Sequence, residues 1–304
     1  MRSVRRGARS VIRRQKAAGA GATGTSCPVR PAFEVHPAIQ PVPDSELRRD
    51  PRDSLNLICD ISDWRLGPMV DLLSELGEAV RIHRKAWELG KSLHGMQRLG
   101  VIRPDSRGVS VGAGAESCLF YLANHVHEIV ATDLYQTEAG SWGWGSDFLA
   151  NPERYAPFPY RHEGLSVRNM SGLDLEFETG TFDFAYTLSS IEHFGGHEVA
   201  RQAVREMARV TKPGGIVCVV TELQLSQGPS GPDVFSVGDL REFIIEGNGL
   251  QLIEPHIDLR ISESLLAYPV IHLEESDSIS PHIVLYGWGG IPVAWTSVIL
   301  FLRK

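Results

Sequence analysis

Two glycines and one acid raise the first chemical question. Gly112 and Gly114 flank Ala113 in "VSVGAGAE", and Asp133 ends "EIVATD" about twenty residues later. A residue without a Cβ lets the chain turn tightly and lets a ligand lie against bare backbone. A carboxylate at the next strand end can accept hydrogen bonds from both hydroxyls of a ribose. An adenosine-containing ligand is therefore expected, and dinucleotides and S-adenosylmethionine fit these residues equally. A dinucleotide fingerprint would carry a third glycine at position 117, where the helix start faces a pyrophosphate; the residue there is Ser117. A ligand without a pyrophosphate makes no such demand. Metal ligation has little support: His193 and His197 are four apart, but Gly195 and Gly196 interrupt the helix that would align them. The cysteines Cys27, Cys59, Cys118 and Cys218 form no Cys-x-x-Cys pair, so neither structural zinc nor any other metal site is expected.

The elements that must position these residues follow from apolar spacing. Helical spacing runs through residues 68–99, predicting two or three helices. From Val109 the pattern becomes strand, helix, strand, which signals a parallel sheet with crossover helices. "LSVRNM" and "FDFAYTLSS" read as the third and fourth strands, "EVARQAVREMARVT" as a helix, and "IVCVVTEL" as a strand entered through the turn "KPGG". "SVGDLREFIIEGNG" is a helix, "LQLIEP" a strand and "TSVILFLRK" the last strand. The stretch "PAFEVHPAIQPVPDSELRRDPRDS" is proline-rich and polar and is expected as a linker.

The chain has 304 residues, 42% hydrophobic and 22% charged, with a net charge of −7. These values fit a globular protein and argue against nucleic acid as a partner, because phosphate binding needs a concentrated basic face. No apolar run approaches the ~20 residues needed to span a bilayer. The acid-free start, "MRSVRRGARSVIRRQKAAGAGATGTSCPVR", is expected as a disordered basic tail, with an organelle-targeting segment as the alternative. The expected compartment is the cytoplasm.

Taken in order, the run from Val109 to Glu222 resembles a class I S-adenosylmethionine-dependent methyltransferase. "VSVGAGAE" resembles that family's first glycine motif, "ATDLY" its ribose-binding acid, "RNM…FETGTFDFAYTLSSIEHF" its adenine-binding segment and fourth strand, and "RVTKPGGIVCVV" its later strand motif. The resemblance implies an α/β fold with a doubly wound, seven-stranded, mostly parallel sheet and an N-terminal helical lid. It divides the chain into tail and linker (1–55), lid (56–104) and cofactor-binding domain (105–304), with an aromatic-rich insertion at about 135–165. It also implies S-adenosylmethionine as cofactor. Gly112 and Gly114 would lie under the methionine and ribose, Asp133 on the ribose hydroxyls, Asn169 and Met170 on the adenine edge, and Ser189 near the sulfonium. The chain departs from the family at Ser110, where an acid is common, at Glu116, which replaces the third glycine of its motif, and at Asn169, often an acid.

Methyl transfer to a hydroxyl needs a group to take its proton. His193 is the expected base, since neutral imidazole accepts a proton near pH 7, with Glu192 and Glu222 as weaker candidates. Trp142 and Trp144 are the candidates for contact with a ring-containing acceptor, while Phe148, Tyr155, Phe158 and Tyr160 are expected to pack among themselves. Trp87 and Lys91, one turn apart in the lid, are further candidates to face the pocket. The expected function is methyl transfer to a small molecule or glycan, with a hydroxyl oxygen as the expected acceptor atom. Two alternatives stay open: a cofactor-binding module without catalysis, kept alive by the three departures, and a nicotinamide-dependent reductase.

Overall fold

The computed structural model describes residues 31, 33–78, 82–135, 145–267, 270–271, 282–288 and 291–304. Its strands are β1 (Gln40–Val42), β2 (Leu57–Ile58), β3 (Arg107–Val111), β4 (Glu128–Asp133), β5 (Leu165–Asn169), β6 (Phe182–Leu188), β7 (Thr211–Gln224), β8 (Gln251–Leu252), β9 (Arg260–Ser262), β10 (Val270–Ile271), β11 (Val284–Trp288) and β12 (Ile291–Arg303). Its helices are α1 (Asp44–Arg49), α2 (Gly67–Glu75), α3 (Arg84–Arg98), α4 (Ser117–His125), α5 (Gly145–Ala150), α6 (His197–Val210), α7 (Val237–Asp239, continued in wider turns through Leu240–Ile245) and α8 (Glu263–Leu266).

One sheet organises the domain, in the order β10-β11-β12-β7-β6-β3-β4-β5, with β2 and β8 also pairing β12. Only β12 runs against its neighbours β7 and β11; the rest of the path is parallel. The fold is thus the expected α/β sheet. It has ten strands among the described residues rather than the seven expected, because three two-residue strands add to it, β2 and β8 on β12 and β10 on β11. The expected strand "LQLIEP" shrinks to β8, which pairs antiparallel with β12, and β12 also forms a hairpin with β11.

The apolar run of β7, parallel to β6 and antiparallel to β12, is buried on both faces, as a strand covered by helices on each side must be. Ile216, Cys218 and Val220 face a core built with α2, α3 and α4, where Trp87, Phe120 and Phe184 are fully buried. Val217, Val219 and Leu223 face the opposite core, closed by α6 and α7. In α6, Ala200, Ala203, Val204 and Met207 are buried at helical spacing while Gln202 and Arg205 face outward.

The expected linker is packed along residues 33–55. Phe33, Ile39, Val42, Leu47 and Leu55 are buried, each worth about 1.5–3 kcal/mol relative to exposure. β1 pairs with β9, and the buried Arg52 is tied to the carbonyls of Ile58 and Arg260 and to Asp63. Its prolines are tolerated because Pro41 lies in a two-stranded sheet and Pro43 directly precedes α1. Composition alone hid five well-spaced anchors.

Candidate active site

The carboxyl ends of the central strands are laced together by backbone hydrogen bonds. Gly112 and Ala113 donate to the Thr132 carbonyl (2.9 and 3.0 Å), and Met170 donates to the Asp133 carbonyl (3.1 Å). Ser190 Oγ donates to the Gly112 carbonyl (3.0 Å), and Ser189 N–H donates to the Val220 carbonyl (2.9 Å). The ends of β3, β4, β5, β6 and β7 therefore meet around one mouth, bringing Gly112, Asp133, Met170 and Ser189 together. Gly112 has φ +70°, and a Cβ on it would overlap Ser190 Oγ, so a side chain is excluded twice over.

Asp133 is half-buried, and its Oδ1 accepts from Leu134 N–H at 2.7 Å, which fixes the carboxylate at the strand end. Burial raises its pKa, and the Leu134 hydrogen bond opposes that. Ser189 holds φ +49°, the only non-glycine with positive φ among the described residues, and its hydroxyl is buried with no partner. A strained residue with an orphaned hydroxyl at a strand end is characteristic of a ligand site. Asn169 ends β5 opposite Asp133 and is exposed. The N–H of Met170, expected at an adenine edge, is instead donated within the protein.

A second group lies beside this mouth. One ligand atom each of Glu192, His193 and Glu222 falls within 4.8 Å of the other two. Glu192 and His193 follow β6, and Glu222 sits near the end of β7 on the face toward α3. Glu192 is fully buried: Thr221 Oγ1 donates to Oε2 at 3.0 Å, and Oε1 has no partner. Burial raises its pKa well above the carboxylate range, and the neighbouring Glu222 adds to this. Burial also raises Glu222, to about 7, with Arg84 and Lys85 opposing. The pair thus retains a proton near neutrality, because two buried carboxylates at this separation disfavour ionising together. Desolvation lowers the pKa of His193, Asp233 opposes, and the charges of Lys85 and Arg84 add to the fall. The ring is neutral at pH 7 and able to accept a proton.

The first turn of α3 closes over this group. Arg84 Nη1 donates to Glu88 Oε1 (2.9 Å), Ser297 Oγ (3.0 Å) and Glu222 Oε1 (3.4 Å), and its guanidinium lies 4.4 Å from the Trp295 ring centre. Lys85 Nζ donates to Glu88 Oε2 at 2.9 Å. Sequence reading missed Arg84, Lys85 and Glu88; the only signal was their i, i+3 and i, i+4 spacing in "RKAWE". Trp87 and Lys91 are both buried, and Trp87 Nε1 donates to Asp63 Oδ2 at 2.7 Å, so neither faces the mouth. Trp142 and Trp144 lie outside the described residues. Phe148 is fully buried against Tyr135 and Tyr155, and Tyr160 packs on Phe120, so these aromatics serve packing.

Residues 109–219 match a family described as a methyltransferase domain. No curated protein sequence matches the chain. Among solved structures, the [4+2]-cyclase SpnF is 16% identical with a TM-score of 0.47, over 83% of this chain and 99% of that one. A SAM-dependent methyltransferase from Aquifex aeolicus is 14% identical with a TM-score of 0.42, over 76% of this chain and 97% of that one. A provisionally named sarcosine dimethylglycine methyltransferase from Galdieria sulphuraria is 18% identical with a TM-score of 0.41 over 56% of this chain, which spans 60% of that protein.

Proposed function

We propose that this chain, whose residues 109–219 match a methyltransferase domain, is a class I S-adenosylmethionine-dependent methyltransferase that methylates a hydroxyl oxygen of a small molecule or glycan. The observation that carries the oxygen assignment is the neutral His193 beside a carboxylate pair that retains a proton, next to the mouth where the cofactor belongs. When bound, S-adenosylmethionine supplies a methyl group on a cationic sulfur, already activated for in-line displacement.

The residues present fit that cofactor. The Gly112 turn leaves backbone bare, the fixed Asp133 carboxylate can take ribose hydroxyls, and the orphaned Ser189 hydroxyl points to a polar partner. Gly114 and Asn169 complete the proposed wall, and Met170 serves it by packing, being 6% exposed. On the acceptor side, His193 takes the hydroxyl proton as the oxygen attacks. Glu192 and Glu222 hold a second acceptor group by hydrogen bonds. Arg84 and Glu88 fix the lid over the pocket and limit water entry.

The same three side chains could ligate a divalent ion, but the Arg84 guanidinium on Glu222 competes with a cation there. We therefore read the group as a base site. No helix among the described residues is long and apolar enough to cross a membrane. A cytoplasmic setting with no nucleic-acid partner is part of the proposal.

The test is release of S-adenosylhomocysteine with a panel of polyhydroxylated metabolites and oligosaccharides. His193→Ala should lower kcat by roughly 10²–10⁴ while leaving cofactor affinity unchanged. Activity should survive chelators. Unchanged turnover in the variant, or activity abolished by a chelator and restored by a metal, would overturn the assignment of His193 as base.

A further inference from the structure

We propose that the Glu116 carboxylate binds the α-ammonium group of the cofactor's amino-acid end, an inference that rests on the methyltransferase reading above. Glu116 directly precedes α4, yet its side chain makes no cap hydrogen bond to that helix. It folds back instead, so that Oε1 accepts the N–H of Gly114, within the glycine turn, at 2.9 Å. Oε2 is buried and has no partner. A buried carboxylate oxygen left without a donor is costly unless a ligand supplies one.

The surroundings say which ligand group it wants. Ser110, where the family often has an acid, is 2% exposed and is hydrogen-bonded to the Tyr186 hydroxyl, so that position offers the mouth nothing. Tyr135 donates its hydroxyl to the Ala113 carbonyl at 2.7 Å and so closes the underside of the turn. The cation acting on Glu116 is Lys85, already donated to Glu88. Asp133, beyond the turn, repels it. Glu116 thus offers one unpartnered carboxylate oxygen beside the glycine turn on which the aliphatic end of the proposed cofactor would rest. An ammonium group donates to an open carboxylate oxygen with charge assistance, whereas the cofactor's own carboxylate would be repelled. Burial raises the pKa of Glu116, a penalty that a bound cation would relieve.

The test uses two ligands that differ at one end. S-adenosylhomocysteine carries the amino-acid end, and 5′-methylthioadenosine lacks it. Calorimetric titration of the full chain should show Glu116→Gln weakening S-adenosylhomocysteine by about ten- to a hundredfold while 5′-methylthioadenosine is unchanged. Gln keeps an acceptor for Gly114 N–H, so the turn is preserved, and Glu116→Ala should rank the two ligands the same way. The inference is overturned if both ligands weaken equally, if S-adenosylhomocysteine stays within twofold, or if it binds more tightly, as relief of carboxylate repulsion would produce. A wild-type protein that binds neither nucleoside overturns the cofactor reading and this inference with it.

Discussion

Replacing Arg84 by Met should destabilise the fold by about 3 kcal/mol. The side chain is 8% exposed and serves Glu88, Glu222 and Ser297 from one nitrogen, while its guanidinium covers Trp295. Removing one partner of a buried ion pair costs roughly 3–5 kcal/mol, because the remaining charge stays buried. Lys85 still reaches Glu88, which places the loss at the lower end. Met keeps a long side chain beside Trp295, so packing adds little. The assay is urea unfolding of the wild type, Arg84→Met, Glu88→Gln and the double variant. The double variant should cost less than the two single losses combined, with a coupling of at least about 1 kcal/mol. A single-variant loss below about 1 kcal/mol, or additivity, would refute the claim that this pair locks α3 over the site.

Asp133→Ala should weaken S-adenosylhomocysteine by about ten- to a hundredfold, on the scale of charge-assisted hydrogen bonds; unchanged affinity in the folded variant removes Asp133 from the site. His282 is buried and accepts from Trp64 Nε1 at 3.0 Å, and burial pushes its pKa down to about 4 from an ordinary 6.5. The unfolded chain therefore takes up this proton first, so stability is full above pH 6.5 and is lost as pH falls toward 4. Between pH 7.5 and 4.5 the wild type should lose about 2.5 kcal/mol that His282→Gln does not lose, read from urea midpoints; equal losses would contradict this. Gly95→Ala would drive a Cβ into the buried Phe301 ring, and unfolding should show a cost of about 1–3 kcal/mol.

Periodicity and turn chemistry made much of the fold legible. The glycine turn, Asp133 and the apolar strands declare a parallel sheet because each is a local signal that the tertiary structure reinforces. The expectation of a linker over residues 33–55 fails because composition reports polarity, whereas Phe33, Ile39 and Leu55 reach partners far along the chain. The hairpin of β11 and β12 has a local signal in the two glycines, Gly289 and Gly290, between the paired Trp288 and Ile291. Of the site, His193, Glu192 and Glu222 were visible as candidates, but not their closeness. That depends on β6 and β7 being neighbours, which no local pattern records. The α3 charges Arg84, Lys85 and Glu88 are not legible as site residues, since nothing in "RKAWE" reveals that Ser297 and Glu222 lie beside them.

The most direct test of the central claim is calorimetric titration of the purified protein with S-adenosylhomocysteine, with NADH and NADPH as controls. Micromolar binding of the first and none of the nicotinamide cofactors is the expected result. Binding of a nicotinamide cofactor alone, or of no nucleoside at all, would contradict it.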